Sequence, residues 1–239
     1  MKKLLLGATA ALGLLASAGS ANAASVTIVF QNPGADLPTA GNFTTGGKCN
    51  GVRISSIDLC TIDENLGFDY SKGFAQLNVT AFNSNGITDL MQDLAPKNSG
   101  LAILSPGESS SDDQVQLSTG ESLLFDFGSA VRLDEIDFNA GSDRNCATPG
   151  REGPCGDFRF IVDGNDLGIM TAVDNMPFLS LVGTTFELIA AGPVHGGFAV
   201  GSITVSQFDD ISQVPVPAAG FFLLSGLAGF AANRRRKSS

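Results

Sequence analysis

The chain contains no tryptophan, one tyrosine (Tyr70) and one histidine (His195). Tyrosine and tryptophan pair an apolar ring with a polar tip, so their scarcity removes the aromatic platforms on which sugar-binding sites commonly stack a pyranose ring. A single histidine, with no C-x-x-C anywhere, leaves too few ligands for a tetrahedral zinc centre. A Ser-His-Asp relay would have to use His195, which sits in Gly192-Pro193-Val194-His195-Gly196-Gly197, and the chain has no nucleophile-elbow sequence. An H-E-x-x-H helix, a P-loop and a dinucleotide fingerprint are also missing. Cations are scarce in the body of the chain. Of 14 Lys and Arg, six (Lys2, Lys3, Arg234, Arg235, Arg236 and Lys237) lie in the two ends, which hold none of the 24 Asp and Glu. The body therefore carries a net charge of −16. A surface that acidic repels phosphate backbones, which argues against nucleic acid as a partner.

The two ends are the most informative segments. Met1-Lys2-Lys3 is a basic opening, Leu4 to Ala16 is apolar, and Ala21-Asn22-Ala23 supplies the small residues of a cleavage site. A signal peptide over 1–23, cut after Ala23, is expected, with the Sec translocon and signal peptidase as partners. At the other end Val214-Pro215-Val216-Pro217-Ala218 precedes an apolar run from Ala218 to Ala232, closed by Arg234-Arg235-Arg236-Lys237. Fifteen helical residues reach about 22 Å, short of the ~30 Å hydrocarbon core. This makes the run a marginal anchor. The terminal cations orient it with the preceding domain on the outer side.

With both ends read, the C-terminus resembles the tripartite sorting signal of PEP-CTERM proteins in its VPLPA-type variant, with Val216 where the family has Leu. That resemblance implies a Gram-negative bacterium and recognition by an exosortase-like protease in the inner membrane. It further implies transient anchoring there, removal of the tail, and release to the cell surface or an extracellular polysaccharide matrix.

Between the ends lies 24–213, one domain's worth of chain. Its pattern is period-two alternation broken by turn residues, which predicts many short strands. Val26, Ile28 and Phe30 alternate, and so does 75–82, with Leu77 and Val79 on one face and Gln76, Asn78 and Thr80 on the other. Leu123, Phe125 and Phe127 share a face, and Gly128-Ser129 predicts a turn into Val131 to Phe138, making a central hairpin. Phe158, Phe160 and Val162 run into Asp163-Gly164-Asn165-Asp166, a turn that returns along Leu167 to Thr171. Thr185 to Ala190 and Phe198 to Phe208 supply the last strands. One segment departs from the pattern. Ile87, Leu90, Met91 and Leu94 recur at helical spacing ahead of Pro96, which predicts a short helix or turn. The fold expected is all-β: an antiparallel two-sheet sandwich of about ten strands, jelly-roll-like, with phenylalanine filling the core.

Segments of this body, Phe68-Asp69-Tyr70-Ser71-Lys72-Gly73 and Glu121-Ser122-Leu123-Leu124-Phe125-Asp126-Phe127 among them, resemble ectodomains found ahead of this sorting signal. Those are thought of as β-sandwiches. A third such segment has Ala102-Ile103 after Leu101, where the family usually reads Gly-Val.

Four cysteines permit three connectivities, and in an oxidising compartment disulfides are the default. The local pairs Cys49 with Cys60 and Cys146 with Cys155 are expected, each closing a Gly-rich or Pro-rich segment. No cofactor is expected beyond a structural Ca2+. Candidate ligands are Asp112 with Asp113, Asp134 and Asp137 beside Asp143, and Asp163 with Asp166, since calcium gathers oxygens from acidic loops. None of these matches an EF-hand. The role expected is that of an exported structural or ligand-binding protein, glycan being the candidate ligand, without enzymatic activity. A membrane-anchored carbohydrate-active enzyme is the alternative, because a two-carboxylate glycosidase needs only a suitably spaced acidic pair.

Overall fold

A computed structural model of the chain describes residues 23–40, 43–49, 51–61, 66–94, 100–103, 120–140, 144–146, 155–191 and 197–208. The described residues form fourteen strands and no helix, and every strand pairing is antiparallel. All of these strands lie in a unit ending at Gln207, and Phe208–Ser239 is a separate unit described at Phe208 alone. The sorting motif Val214 to Ala218, the basic tail Arg234 to Lys237, Ala21, Asp112, Asp113, Asp143 and His195 all lie outside the described residues.

The organising element is β9 (Ser122–Ala140), counted after β1 (Ser25–Val29), β2 (Phe43–Cys49), β3 (Val52–Thr61), β4 (Phe68–Lys72), β5 (Ala75–Asn83), β6 (Gly86–Thr88), β7 (Leu90–Asp93) and β8 (Gly100–Ile103). Beyond it come β10 (Arg144–Asn145), β11 (Asp157–Val162), β12 (Asn165–Thr171), β13 (Met176–Ala191) and β14 (Ala199–Gln207). One edge of β9 carries β13 along both halves. The other edge is divided: β5 pairs with 122–126, whereas β14 pairs with 131–139. Two branches therefore leave β9. One holds β5 with β4 and β6, and the other holds β14 with β1 and then β8, β7, β3 and β2.

The hairpin expected at Gly128-Ser129 is corrected by this pairing. Residues 122–140 are a single strand, and Gly128 takes a φ of +64° at the point where β5 ends and β14 has yet to begin. A glycine adopts that conformation without the Cβ penalty, so it reads locally as a turn while serving here as an irregularity inside a long strand. A second irregularity follows at Asp134, which the pairing with β14 skips. Burial switches phase there, from Val131 and Leu133 to Ile136 and Phe138.

The helix or turn expected around Ile87 to Leu94 is also corrected. Those residues form β6 and β7, and Leu90, Met91, Gln92 and Asp93 are all buried. Side chains on both faces of β7 are covered, Leu90 by the main core and Met91 by Cys49, Cys60 and Ile54, and the apolar spacing loses its diagnostic value. Elsewhere the alternation holds. In β5, Leu77 and Val79 are buried, whereas Gln76 is exposed and Asn78 and Thr80 are half-buried. β11 and β12 form the hairpin expected around Asp163-Gly164, and Asp163 adopts a φ of +48°.

The core joins the branches. Phe30, just after β1, meets Tyr70 of β4 edge-on at 5.1 Å and lies 6.4 Å from Phe125 of β9. Phe138, Phe158 and Phe198 form a second group with centroids 5.1–5.7 Å apart. Each buried phenylalanine contributes about 1.5–3 kcal/mol by leaving water, and each such ring pair about 0.5–1.5 kcal/mol more. Both expected disulfides are present, Cys49–Cys60 and Cys146–Cys155.

Candidate functional site

Polar groups buried in a β core need partners, and most here serve the fold. Gln92, fully buried on β7, accepts from the Tyr70 hydroxyl at 3.2 Å and donates to the Phe30 and Asp36 carbonyls at 2.9 and 3.0 Å. Burial pushes the Tyr70 hydroxyl well above its usual range, with the charge of Asp36 adding to the effect. The only tyrosine is thus an interior strut and presents no ring for stacking. Asp58 accepts from the backbone amides of Ser55 and Leu94, fixing the irregular middle of β3.

The calcium candidates that are described have other engagements. Asp163 Oδ1 accepts from the amides of Thr184 and Thr185 at 2.9 and 2.8 Å and from the Thr185 hydroxyl at 3.2 Å, and the Thr185 amide bond leads the effects that hold its carboxyl below the usual range. Asp166 accepts from the Gly168 amide and faces Arg159 at 3.7 Å. Asp134 pairs with Arg132 and accepts from the Ser206 hydroxyl. Asp137 turns to different partners altogether, so Asp134 and Asp137 do not make a shared ligand set. Among the described residues one group of three potential ligands converges, Cys49, Cys60 and Asp89, and its two sulfurs are bonded to each other.

Asp137 is the centre of the most unusual polar arrangement. It lies on β9 opposite the Gly201 irregularity of β14 and is 8% exposed. Gln31 Nε2 donates to its Oδ2 at 3.0 Å, and the Asn175 amide donates to its Oδ1 at 3.4 Å. Asn139, two residues along β9, donates its side-chain amide to Gln31 Oε1. Asn175 sits at a φ of +49° and donates from its side chain to Asp174 at 2.7 Å. Gly201 makes room for all of this. A Cβ there would lie 2.5 Å from Asn139 Nδ2, 2.7 Å from Gln31 Oε1 and 2.8 Å from Asp137 Oδ2.

Burial, followed by the nearby Asp174 carboxyl, pushes the Asp137 carboxyl up to about 7, with the charge of Glu135 adding and the Asn175 amide opposing. Sequence analysis had named Asp137 only as a candidate calcium ligand. Gln31, Asn139, Asp174, Asn175 and Gly201 escaped it, because only long-range pairing brings them together. No family model, curated protein or solved structure matches the chain.

Proposed function

We propose that this chain is an exported protein of the bacterial cell surface or extracellular matrix, whose ectodomain is a structural or ligand-binding module without enzymatic activity. The carrying observation is the ordered C-terminal signal: paired prolines at Pro215 and Pro217, an uncharged run through Ala232, and four terminal cations. The agreement of the N-terminal leader, Met1 to Ala23, supports the same direction of travel. In this reading the Sec translocon and signal peptidase handle the first 23 residues. An exosortase-like protease then acts at Val214 to Ala218 while the apolar run holds the cargo in the inner membrane.

The finer architecture proposed for the ectodomain is a two-sheet, jelly-roll-like sandwich. Its support is the divided edge of β9, which sends two branches around one aromatic core. The ligand class proposed is a hydroxyl-rich exopolysaccharide. The glycosidase alternative draws little from Asp137, which is buried at 8% exposure with both of its oxygens accepting hydrogen bonds within the fold.

Mass spectrometry of the mature protein tests the sorting reading. A C-terminus lacking Arg234 to Lys237 is expected, and a surface species that retains them defeats it. Glycan-array binding by the intact ectodomain tests the ligand reading, which fails if no glycan is bound.

A further inference from the structure

We propose that Lys48 and Arg53, paired across the β2–β3 hairpin, form a clamp for the carboxylate of an acidic polysaccharide, a uronic acid polymer. This rests on the reading of a polysaccharide ligand and adds the charge that the ligand carries. The two residues are direct partners in the antiparallel register of β2 and β3, and both are exposed. Directly opposed residues hold their Cβ atoms about 5 Å apart on one face of the sheet. Their neighbours Cys49 and Ile54 turn the other way, into the cluster with Cys60 and Met91. The two cationic arms therefore leave the hairpin together, on its outer side.

The pair stands apart from the other cations. Lys72 faces Asp36 at 2.6 Å, Arg132 faces Asp134 at 2.9 Å and Arg159 faces Asp166 at 3.7 Å. Among the described residues Lys48 and Arg53 make no ion pair, although the body of the chain is rich in carboxylates. Like charges set directly opposite each other cost stability, and an anion held between them offsets that cost.

The backbone beneath the clamp is fixed. The Cys49–Cys60 disulfide ties β2 to β3 one residue from Lys48. Asp58, 4% exposed, accepts from the amides of Ser55 and Leu94 at 3.0 and 2.9 Å and so holds the stretch that follows Arg53. That stretch lies close against Gly46, where a Cβ would stand 3.0 Å from the Ser56 Cα. Ser55 and Ser56 are exposed, and their hydroxyls supply donors and acceptors for sugar hydroxyls beside the two cations. The planar fork of Arg53 suits both oxygens of one carboxylate, and Lys48 adds a point charge. A uronate offers that carboxylate with hydroxyls around it. Duplex DNA instead carries a charge about every 1.7 Å, which the acidic body around the hairpin repels.

The experiment measures binding of the full chain, in non-ionic detergent, to polygalacturonate, to the same polymer with its carboxyls reduced to alcohols, and to duplex DNA. Reducing the carboxyls should weaken binding about tenfold or more, and so should the double variant Lys48→Gln with Arg53→Gln. That variant should melt no lower than wild type, because it loses a like-charge pair and no contact of the core. Arg159→Gln, which removes a cation elsewhere, should bind as wild type does. Equal binding of the acidic and reduced polymers overturns the clamp and leaves the broader polysaccharide reading standing. A double variant that binds like wild type, or DNA bound as tightly as polygalacturonate, also overturns it. Binding to neither polymer does the same, and the glycan array then decides the broader reading on its own.

Discussion

Leu90 and Met91 are neighbours in β7 and serve different apolar clusters: Leu90 joins the main core, while Met91 packs with the Cys49–Cys60 disulfide and Ile54. Both are essentially fully buried, at 1% and 0% exposure. Successive side chains of a strand point to opposite faces, and both faces of β7 are in use. Leu90→Ala and Met91→Ala should therefore each cost about 2–5 kcal/mol. Chemical denaturation of the two variants checks this, and a near-neutral result for either would mean that one face of β7 is open to water.

The disulfides close short loops, of sequence separation 11 and 9. Chain entropy assigns each about 2–3 kcal/mol. Replacing both cysteines of either pair with alanine should lower stability by that amount in denaturant titrations. Peptide mapping without reductant should recover Cys49 linked to Cys60 and Cys146 linked to Cys155.

Asp163 fastens the β11–β12 turn to the backbone of β13 at Thr184 and Thr185. Its folded carboxyl lies below the usual 3.8, so its contribution is present above that value and fades as pH falls through the lower folded one. The group is largely exposed, and solvent screening limits the whole effect of Asp163→Ala to about 1 kcal/mol at neutral pH. Thermal melts at pH 7 and pH 2.5 should show the difference from wild type shrinking in acid. The difference at pH 7 should be the same with calcium as with a chelator, because both amide bonds are made without a cation. A chelator-dependent difference would restore Asp163 as a ligand.

Replacing Pro215 and Pro217 together with alanine should leave the cargo in the inner-membrane fraction with its tail intact, while wild type moves outward. Fractionation followed by immunoblotting reads the outcome. Unchanged release would detach the prolines from the sorting step.

Where structure depends on neighbours in sequence, the chain was legible. β5 alternates over its whole length, and the β11–β12 hairpin is announced by Asp163-Gly164, residues that tolerate positive φ. Both disulfides are local and were readable from the spacing of the four cysteines. What failed was local information about long-range pairing. Gly128-Ser129 has the chemistry of a turn, and it falls where the pairing of β9 with β13 shifts register, between Asp126 and Val131, inside one long strand. The periodicity of Ile87 to Leu94 misled because β7 is buried on both faces, against the main core on one and the Cys49–Cys60 cluster on the other. The Asp137 cluster was hidden for the same reason: its members lie at 31, 137, 139, 174, 175 and 201, and nothing short of the strand register places them together.

The pairing of β1 with β14 sets Ser25 against Ser206 and Val29 against Ser202, so among the described residues the first strand finds its only strand partner in the last. Val131 to Asn139 depends on that same late strand for one of its edges. A polypeptide threading outward with its leader first would thus expose β1 long before anything exists for it to bind. Closure has to wait for nearly the entire ectodomain to emerge, and the ordering cost of such a distant contact makes the step slow. For cargo that crosses a membrane as an extended thread, that delay is an advantage.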